Sequence, residues 1–578
     1  MKKIFLSVAL LSGLMCATSC EDMLDIEQKG TTSTESFYKT DADAESALTA
    51  MYATYIGEIG GNEGIWSAYL TLINYSSDDI FAAGGDINDH ADFRIFNEFS
   101  YDASSGCINT LYNHIYKAIY SANLVINYFE GEKANTPTKK RAVAEARVMR
   151  AWAHMFAAQV FYQPPLVDHL IVDDVPTNAE SQKAIFDWCV TECEAAIPDL
   201  KERSSKTDKE GAWYVTKGFA QFVGGKSALF GGDNGKAKSM LEPLVKSDKY
   251  DLVPGERFRD LFHVEGDGCE EKIFEFNYTT NTAMGGTWGG SIQRGRWMVA
   301  NVFNWRGDDI VGGGTNPRIC STGGWGGGSI NQDFAHKMLE HDGDSYRRKA
   351  TFLTSDEFFY DATLCPWKND VEAGGTLATR AEKEFDPNRG IKKEAGSFSR
   401  SDVMEVKMMC HPNDVDLSVG DNCNNTNLCL ARLGEAYLLY AEACLTSAPD
   451  EAKYYIKEIQ KRAGIPEKNY VENATLQVLQ DEKQYEMWFE GCRYFDIVRW
   501  GIAKECYDKV LDNIPLQWDE YWQSGGTKPH KLVYKIHHPF ADAGIKLQFE
   551  AGKNEYFPLP QTVLEVNKEM HQVRGWAK

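Results

Sequence analysis

The chain has 578 residues, of which 43% are hydrophobic and 25% charged, a composition typical of folded proteins with a large buried core. Its formal net charge is −23. Because nucleic acids and anionic membrane surfaces bind proteins through an excess of lysine and arginine, this charge argues against both as partners.

Residues 1–19 have the pattern of a secretory signal peptide. Lys2 and Lys3 precede an apolar stretch, 4–15, that is too short to span a bilayer. Small residues then lead to Cys20, where a signal peptidase would cut, and this arrangement resembles the lipobox of bacterial lipoproteins. We predict a lipid anchor on Cys20, with a plain secretory peptide as the alternative. The acidic pair after Cys20 resembles the tag of lipoproteins that face the cell exterior.

Helical periodicity dominates the chain up to about residue 250. Thr40 and Asp43 have the spacing of a capping box before the first helix. Further amphipathic patterns follow, and the turn at 231–235 separates two of them as in an antiparallel helix pair. Paired helices in series predict a mainly α protein with a scaffold of the tetratricopeptide type.

The pattern changes after residue 250. Residues 271–278 read as a strand, and 14 glycines then occur between residues 285 and 328. Because glycine costs a helix about 1 kcal/mol per residue, this window predicts irregular structure. Helical patterns return at 425–465 and from about residue 476 to 501, and the tail 555–567 reads as extended. We predict one domain over 20–578, with a helical scaffold at about 40–250 and 425–505 and an irregular loop and strand insertion at about 270–425.

Motifs of catalysis and cofactor binding are weak. The sequence GGKS at 224–227 matches a relaxed phosphate-binding loop, but a helical stripe of apolar residues runs through it, which argues against nucleotide binding. The chain contains no HExxH and no GxSxG pattern, and no pair of carboxylates marks it as a glycoside hydrolase. Cys410, His411, Cys423 and Cys429 lack the spacing of a zinc site. We predict no cofactor, and leave open a structural calcium ion held by loop oxygens.

The glycine-rich window gives the strongest binding signal. Indole rings stack on the apolar face of sugars, and glycine lets a ligand approach the backbone closely. The alternative is that the tryptophans pack the small cores of their own loops. The window contains four of them, Trp288, Trp297, Trp305 and Trp325.

Residues 485–501, YEMWFEGCRYFDIVRWG, combine charges, a thiol and aromatic rings. Glu486 and Glu490 lie four residues apart, and Arg493 and Asp496 lie three apart, so their spacings suit ion pairs between and within helices. Gly491 permits a turn between the two halves. We predict a structural role here, in which Glu490→Gln or Arg493→Ala lowers stability without abolishing ligand binding.

The chain resembles the SusD/RagB family of outer-membrane lipoproteins along nearly its whole length. The matching segments include CEDMLDIEQKGTTSTESFY, AEARVMRAWAHMFAAQVFYQPPLV, KGFAQFVGGKSALFGGDNGKAKSMLEPLV, ARLGEAYLLYAEA, residues 485–501 and YFPLPQTVLEVN. Departures are modest, such as Gly434 where the family often has alanine.

The resemblance implies a SusD-like helical scaffold with a ligand-facing insertion. It implies a non-catalytic lipoprotein of the outer membrane, facing the exterior, that captures glycan and delivers it to a SusC-like TonB-dependent transporter. The same fold binding a peptide or glycoprotein is the alternative, and a surface glycoside hydrolase is a third. The resemblance places residues 485–501 away from the aromatic insertion. It implies ligand contacts from the insertion and from an early loop that contains Trp66, Tyr69, Tyr75, Asp78 and Asp79.

Overall fold

The computed structural model describes residues 38–60, 69–82, 84, 89, 91–278, 302–303, 310–311, 325–354, 390–391, 403–408, 412–414, 426–510, 514–519, 532–537, 539–542 and 544–577. The helices of this part are α1 (Asp41–Ile59), α2 (Tyr69–Tyr75), α3 (Ala91–Glu98), α4 (Gly106–Phe129), α5 (Pro137–Phe161), α6 (Gln182–Ala196), α7 (Lys217–Phe230), α8 (Asn234–Val245), α9 (Gln332–Asp342), α10 (Tyr346–Thr351), α11 (Leu433–Cys444), α12 (Pro449–Ala463), α13 (Leu476–Met487), α14 (Arg493–Arg499), α15 (Ala503–Lys509), α16 (Pro539–Asp542) and α17 (Gln561–Val566). The strands are β1 (Ile80–Ala82), β2 (Lys272–Phe276), β3 (Ile310–Val311), β4 (Gly328–Ile330), β5 (Phe352–Thr354), β6 (Gly390–Ile391), β7 (Val403–Glu405), β8 (Leu428–Arg432), β9 (Ile514–Asp519) and β10 (Leu532–His537).

The long helices pack side by side in a continuous series. Helix α1 packs against α4, and contacts then run from α4 to α5, α6, α7 and α8. The series continues from α8 to α11 and from α11 to α12, although about 190 residues separate α8 from α11 in sequence. One large apolar core runs through these helices. The predicted mainly α scaffold is therefore confirmed.

Local signals set several helix boundaries as predicted. The backbone N–H of Asp43 donates to Oγ1 of Thr40 at 3.2 Å, and the Asp43 carboxylate accepts from the Thr40 N–H at 2.7 Å, which completes the capping box of α1. Between α7 and α8 the chain turns through Gly232, whose φ is +81°. That left-handed conformation suits glycine and reverses the chain within three residues.

The GGKS segment lies inside α7 and packs against other helices. A Cβ at Gly225 would stand 2.4 Å from Cγ of Leu241 on α8, so glycine is required for the close approach of the two helices. Lys226 is buried, and its Nζ donates to Glu435 on α11 at 2.8 Å. The motif is part of the helical core, as its apolar stripe predicts.

The strands form five two-stranded antiparallel sheets. Strand β2 pairs with β8, which corrects the prediction that residues 428–432 are helical. Pairing with a strand about 150 residues away overrides the local helical pattern there. The prediction of an extended tail is also wrong at 561–566, where α17 begins directly after Pro560. Proline has no N–H to satisfy and suits the position before the first turn of a helix.

Buried charges join the C-terminal helices to β2. Glu486 on α13 accepts hydrogen bonds from Arg347 (3.2 Å), Arg432 (2.7 Å) and Arg462. Glu271, beside β2, accepts from Arg432 at 2.9 Å and from Arg462 at 2.5 Å. Arg462 is 8% exposed and the other four residues are 1% exposed or less. We call these five residues the buried ion-pair network.

Glu490 extends this network at its edge. Its two carboxylate oxygens accept from Nε and Nη2 of Arg432 at 2.7 and 2.8 Å, and one also accepts from Nζ of Lys407 at 2.7 Å. Burial alone would raise the pKa of Glu490, but the charges of Arg432 and Lys407 outweigh it and lower the pKa to about 2. The ion pairs predicted for Glu486 and Glu490 are confirmed.

Gly434 makes room for the buried ion-pair network. A Cβ at this residue would stand 2.3 Å from Nη1 of Arg432, and that guanidinium is held in place by Glu271 and Glu486. We expect Gly434→Ala to lower the free energy of unfolding by about 1–3 kcal/mol, because overpacking outweighs the helix propensity of alanine. Denaturant unfolding would measure the change.

Gly57 provides the matched control, because it also lies within a helix, α1, but a Cβ there meets nothing within 4 Å. Gly57→Ala is expected to stabilise the protein by up to about 1 kcal/mol. If both alanines stabilise the protein, crowding at Arg432 does not explain the glycine at residue 434.

The turn between α13 and α14 brings residues 485–501 toward the insertion. Phe489 and Gly491 both have positive φ, 68° and 72°, which confirms the turn predicted at Gly491. Asn74, at the end of α2, donates to the carbonyl of Phe489 and accepts from the N–H of Gly491, both at 3.1 Å. The Phe489 ring also meets Phe303 edge-on at 4.2 Å between centroids. The expectation that this segment lies away from the insertion is therefore wrong.

Candidate functional site

Ten residues are predicted from the sequence as ligand-binding candidates or as the site of lipidation. The structure describes five of them, which are Tyr69 at the start of α2, Tyr75, Asp78, Asp79 and Trp325. The other five lie outside the described residues, and their roles stay predictions: Cys20, Trp66, Trp288, Trp297 and Trp305.

The early loop and the end of the glycine-rich window meet in one small sheet. Strand β1 pairs antiparallel with β4, with Ile80 opposite Ile330. The Asn331 N–H donates to the carbonyl of Asp79 at 2.9 Å, directly beside this pair. The two regions that the family resemblance assigns to the ligand are therefore adjacent, although about 250 residues separate them in sequence.

Tyr75 links the early loop to the end of the glycine-rich window beside the β1–β4 pair, which we call the β1–β4 junction. Its ring is fully buried, stacks on Phe93 at 5.0 Å and lies 5.6 Å from Phe303 between centroids. Its hydroxyl donates to the carbonyl of Gly327 at 2.5 Å. Burial leaves the Tyr75 ring no free face, so its part in the site is to fix the backbone next to Trp325.

Trp325 is half-buried and packs against the main core. The glycines that follow it serve packing within the protein. A Cβ at Gly328 would stand 2.5 Å from the Phe303 ring, and one at Gly327 would stand 2.8 Å from the carbonyl of Val302. At these two positions glycine lets the backbone approach another part of the insertion. The prediction from the sequence was that the glycines let a ligand approach the backbone.

Asp78 forms a bidentate ion pair with Arg493 of α14. Nε and Nη2 of Arg493 donate to the two carboxylate oxygens, each at 2.7 Å. Burial would raise the pKa of Asp78, but the guanidinium outweighs it and holds the pKa below its usual range. Arg493 therefore pairs across 415 residues, while Asp496, its predicted local partner, accepts from Lys483 at 3.0 Å.

Asp79 lies deeper and is 2% exposed. Its side chain accepts from Oγ of Ser77 at 2.6 Å and from Nε2 of Gln484 at 3.4 Å, and its carbonyl accepts from the Trp488 indole at 3.2 Å. Burial, together with the neighbouring Asp78 charge, raises the pKa of Asp79 to about 6. Asp79 connects the early loop to α13.

An open pocket of about 240 Å³ lies beside these residues, and we call it the cleft. The early loop and helices α9, α13, α14 and α15 surround it. Its lining is polar on most sides and consists of Asp78, Asn331, Asp333, Phe334, Lys337, Gln477, Gln480, Asp481, Gln484, Arg493, Ile502, Glu505, Cys506, Lys509 and Val510.

The amides of α13 form one wall of the cleft. Gln477, Gln480 and Gln484 are three and four residues apart, so they share one face of the helix. Gln484 donates to Asp79, and Gln477 donates to Asp481 at 3.1 Å. Gln480 is only 6% exposed, yet its side-chain amide has no hydrogen-bond partner in the described part of the chain. The amide is not one of the buried polar atoms without a partner, so it opens onto the cleft and is available to a molecule there.

The charges of the cleft are almost all paired with one another. Four carboxylates and three cations line it. Asp333 is the carboxylate for which the described residues provide no partner. Each cation pairs with another lining residue, namely Arg493 with Asp78 (2.7 Å), Lys337 with Asp481 (2.6 Å) and Lys509 with Glu505 (2.6 Å).

The contribution of α9, α13 and α15 to the cleft was not predicted from the sequence. The spacing of Gln477, Gln480 and Gln484 was a visible signal of a polar helix face, but nothing local shows that this face borders Asp78. The ion pair between Arg493 and Asp78 could not be predicted either, because 415 residues separate the two in sequence.

The described residues contain no group of three or more His, Cys, Asp or Glu side chains placed to hold a metal ion. Cys410, His411 and Cys423 lie outside these residues, and Cys429 is a free thiol. No helix within the described ranges is long and apolar enough to cross a membrane.

Comparison with known proteins decides the family. A model described as the SusD family matches residues 278–576, just over half of the chain. The chain belongs to the SusD family. A second model, described as starch-binding associating with outer membrane, matches residues 23–203, so family signals cover both ends of this SusD-family protein and associate it with the outer membrane.

Two relatives align over most of their length. The SusD-like protein of Bacteroides ovatus is 23% identical over 608 residues, which cover 98% of this chain and 95% of the relative. The starch-binding protein SusD of Bacteroides thetaiotaomicron is 42% identical over 538 residues, which cover 89% of this chain and 87% of the relative.

Solved structures share the fold. A laminarin-binding SusD-like protein superposes with a TM-score of 0.70 at 22% identity, covering 93% of this chain and all of the other. Surface glycan-binding protein A from Bacteroides thetaiotaomicron, in complex with laminarihexaose, gives a TM-score of 0.69 at 18% identity and covers 92% and 99% of the two chains. At these identities the likeness confirms the fold, a SusD-like helical scaffold.

Proposed function

We propose that this SusD-family protein captures oligo- or polysaccharide at the cell surface and delivers it to a SusC-like TonB-dependent transporter. The observation that carries this proposal is the family assignment along the chain, with a relative named for starch binding that is 42% identical. The fold shared with a protein in complex with laminarihexaose supports it further.

The position of the protein follows from the same proposal. A lipid on Cys20 would anchor the chain in the outer membrane, and the acidic residues after Cys20 would direct it to the exterior. The family's association with the outer membrane supports this placement. A water-exposed binding protein on a lipid tether can collect a large soluble polymer that no membrane channel admits directly.

The proposed site is the face where the early loop, the end of the glycine-rich window and the cleft lie together. Trp325 stands at one side of the β1–β4 junction, and the Asp78–Arg493 pair stands at the other, lining the cleft. An indole supplies a stacking surface for the apolar face of a sugar ring, and the amides of α13 supply donors and acceptors for its hydroxyl groups.

We further propose that the protein is not an enzyme. Glycoside hydrolysis requires two carboxyl groups that act on the substrate, one of them able to give or take a proton. Asp78 is held ionised by Arg493. Asp79 has a pKa raised to about 6, but it is 2% exposed and bonded to Ser77 and Gln484, so it does not reach a substrate. Neither carboxyl group is arranged for that chemistry.

A panel of polysaccharides tests the proposal directly. The purified chain is expected to bind at least one neutral or anionic polysaccharide in affinity gel electrophoresis, with a dissociation constant in the micromolar to millimolar range by titration calorimetry. It is expected to release no reducing sugar. Capture of peptides without any glycan binding would favour the peptide-binding alternative, and reducing-sugar release would revive the hydrolase alternative.

The tryptophans of the glycine-rich window are expected to carry a large part of the affinity. Indole rings supply large apolar surfaces on which sugar rings stack, so replacing Trp288, Trp297, Trp305 and Trp325 together with alanine should abolish measurable binding. Titration calorimetry with the best ligand of the panel would measure it. Trp188 on α6 offers a control, since it is half-buried and contacts Arg150 in the scaffold. Unchanged affinity in the fourfold variant would remove these residues from the site.

A further inference from the structure

We propose that the cleft binds a neutral, hydroxyl-rich part of the ligand and discriminates against glycans that carry carboxylate or sulfate groups. This inference rests on the proposed glycan-binding function and adds the chemical class of the ligand. Its basis is the lining of the cleft, where the amide of Gln480 has no partner among the described residues while Arg493 is already paired with Asp78.

The amide of Gln480 has no partner among the described residues. Gln480 is only 6% exposed, and its amide opens onto the cleft among the polar side chains of α13. An amide offers one acceptor and two donor hydrogens, and a sugar hydroxyl is both a donor and an acceptor. A carboxylate or sulfate group only accepts, so it would leave the carbonyl oxygen of Gln480 unsatisfied.

Arg493, the most buried cation among the described residues that line the cleft, is already paired. Its guanidinium uses both Nε and Nη2 on Asp78, and both side chains are close to nine-tenths buried. An anionic ligand that bound this guanidinium would have to take it from Asp78 and leave that carboxylate buried without a counter-charge, which is costly. Lys337 and Lys509 pair with Asp481 and Glu505, but these pairs are much more exposed and water screens them.

The described lining of the cleft keeps one unpaired negative charge, on Asp333. Asp333 lines the cleft, is exposed and has no partner within the described ranges. It leaves the lining with one more carboxylate than cations, and the whole chain carries a net charge of −23. The negative charge of the cleft and that of the whole chain both repel an approaching polyanion, whereas neither acts on a neutral sugar chain.

Matched pairs of polymers provide the test. Laminarin, soluble starch and galactomannan would each be used in the native form and after oxidation of the C6 hydroxymethyl groups to carboxylates, so that the members of a pair differ in charge on one backbone. Alginate, pectin and heparin would complete the panel. We expect the chain to bind at least one native polymer and to bind its oxidised form at least about tenfold more weakly.

Each outcome has one interpretation. Equal or tighter binding of an oxidised polymer, or binding of alginate, pectin or heparin alone, overturns the neutral-ligand inference while the glycan-binding function stands. Binding to none of the polymers overturns the proposed function and the inference with it.

Two pairs of variants locate the effect in the cleft. Gln480→Met removes the amide with little change in volume, and we expect it to weaken binding of the native polymer about tenfold or more without changing the melting temperature, since the amide has no protein partner. Gln561→Met on the exposed helix α17 is its control and should change neither quantity. Unchanged affinity of Gln480→Met removes the cleft from the binding site.

Asp333→Lys adds a cation to the cleft, and Asp508→Lys adds the same charge on α15 outside the lining. We expect Asp333→Lys to improve binding of the oxidised polymer at least about fivefold and Asp508→Lys to leave it unchanged. Equal gains at the two positions would show that the charge of the whole chain, rather than the cleft, rejects anionic glycans.

Discussion

Replacing Glu486 with glutamine is expected to lower the free energy of unfolding by about 3–5 kcal/mol, the usual effect of removing one partner from a buried ion pair. Glutamine keeps the shape of the side chain but not its charge. Arg347, Arg432 and Arg462 would then share less negative charge while remaining buried. Unfolding in guanidinium chloride at neutral pH would measure the difference.

An exposed ion pair gives the contrast. Lys183 and Asp187 lie four residues apart on α6 with 2.7 Å between Nζ and Oδ2, but their side chains are 61% and 55% exposed. Asp187→Asn is expected to change the free energy of unfolding by less than about 1 kcal/mol, because water screens this pair. Similar losses in the two variants would show that the buried ion-pair network contributes no more than a surface contact.

The network matters for the site because of how α13 is placed. Glu486 faces inward to the three arginines, while Gln477, Gln480 and Gln484 of the same helix line the cleft. Inward charges thus fix the rotation of α13 about its axis, and that rotation decides which side chains reach the cleft. We expect Glu486→Gln to retain ligand binding at temperatures well below its lowered melting temperature.

Features with local causes could be predicted from the sequence. The capping box of Thr40 and Asp43 needs residues only three apart, and the turn at Gly491 needs one residue that accepts a positive φ. The helical stripe through GGKS likewise identified α7, because apolar residues spaced by three and four positions define a helix face. Each of these signals is complete within one or two turns of the chain.

Features that depend on distant partners could not be predicted in this way. Residues 428–432 continue an apolar helical pattern, and only their pairing with β2 makes them a strand. Gly434 appears in the sequence as a departure from its family, and its reason lies in the position of the Arg432 guanidinium. The site follows the same rule, since the family resemblance gave the regions, while the Asp78–Arg493 pair and the Gln480 amide emerged from tertiary packing.

Among residues 485–501, Arg493 is expected to affect both the stability of the protein and the binding of its ligand. The sequence predicted that Arg493→Ala lowers stability and spares ligand binding. The structure places Arg493 in the lining of the cleft, with Asp78 held at 2.7 Å and Asp79 next to it. Removal of the guanidinium would leave two neighbouring carboxylates in a largely buried position.

We therefore expect Arg493→Ala to lower the free energy of unfolding by about 2–4 kcal/mol and also to weaken binding of a neutral polysaccharide about tenfold or more. Glu490→Gln is the matched control, because it breaks a buried pair with Arg432 and Lys407 in the same segment but does not line the cleft. It should lower stability and leave affinity unchanged. Denaturant unfolding and titration calorimetry on both variants separate the two effects.

Equal losses of affinity would indicate general loosening of the scaffold, and intact affinity in Arg493→Ala would place the ligand away from the cleft. The double variant Asp78→Asn/Arg493→Ala removes both charges, so recovery of stability without recovery of affinity would assign the stability to the ion pair and the affinity to the arginine itself.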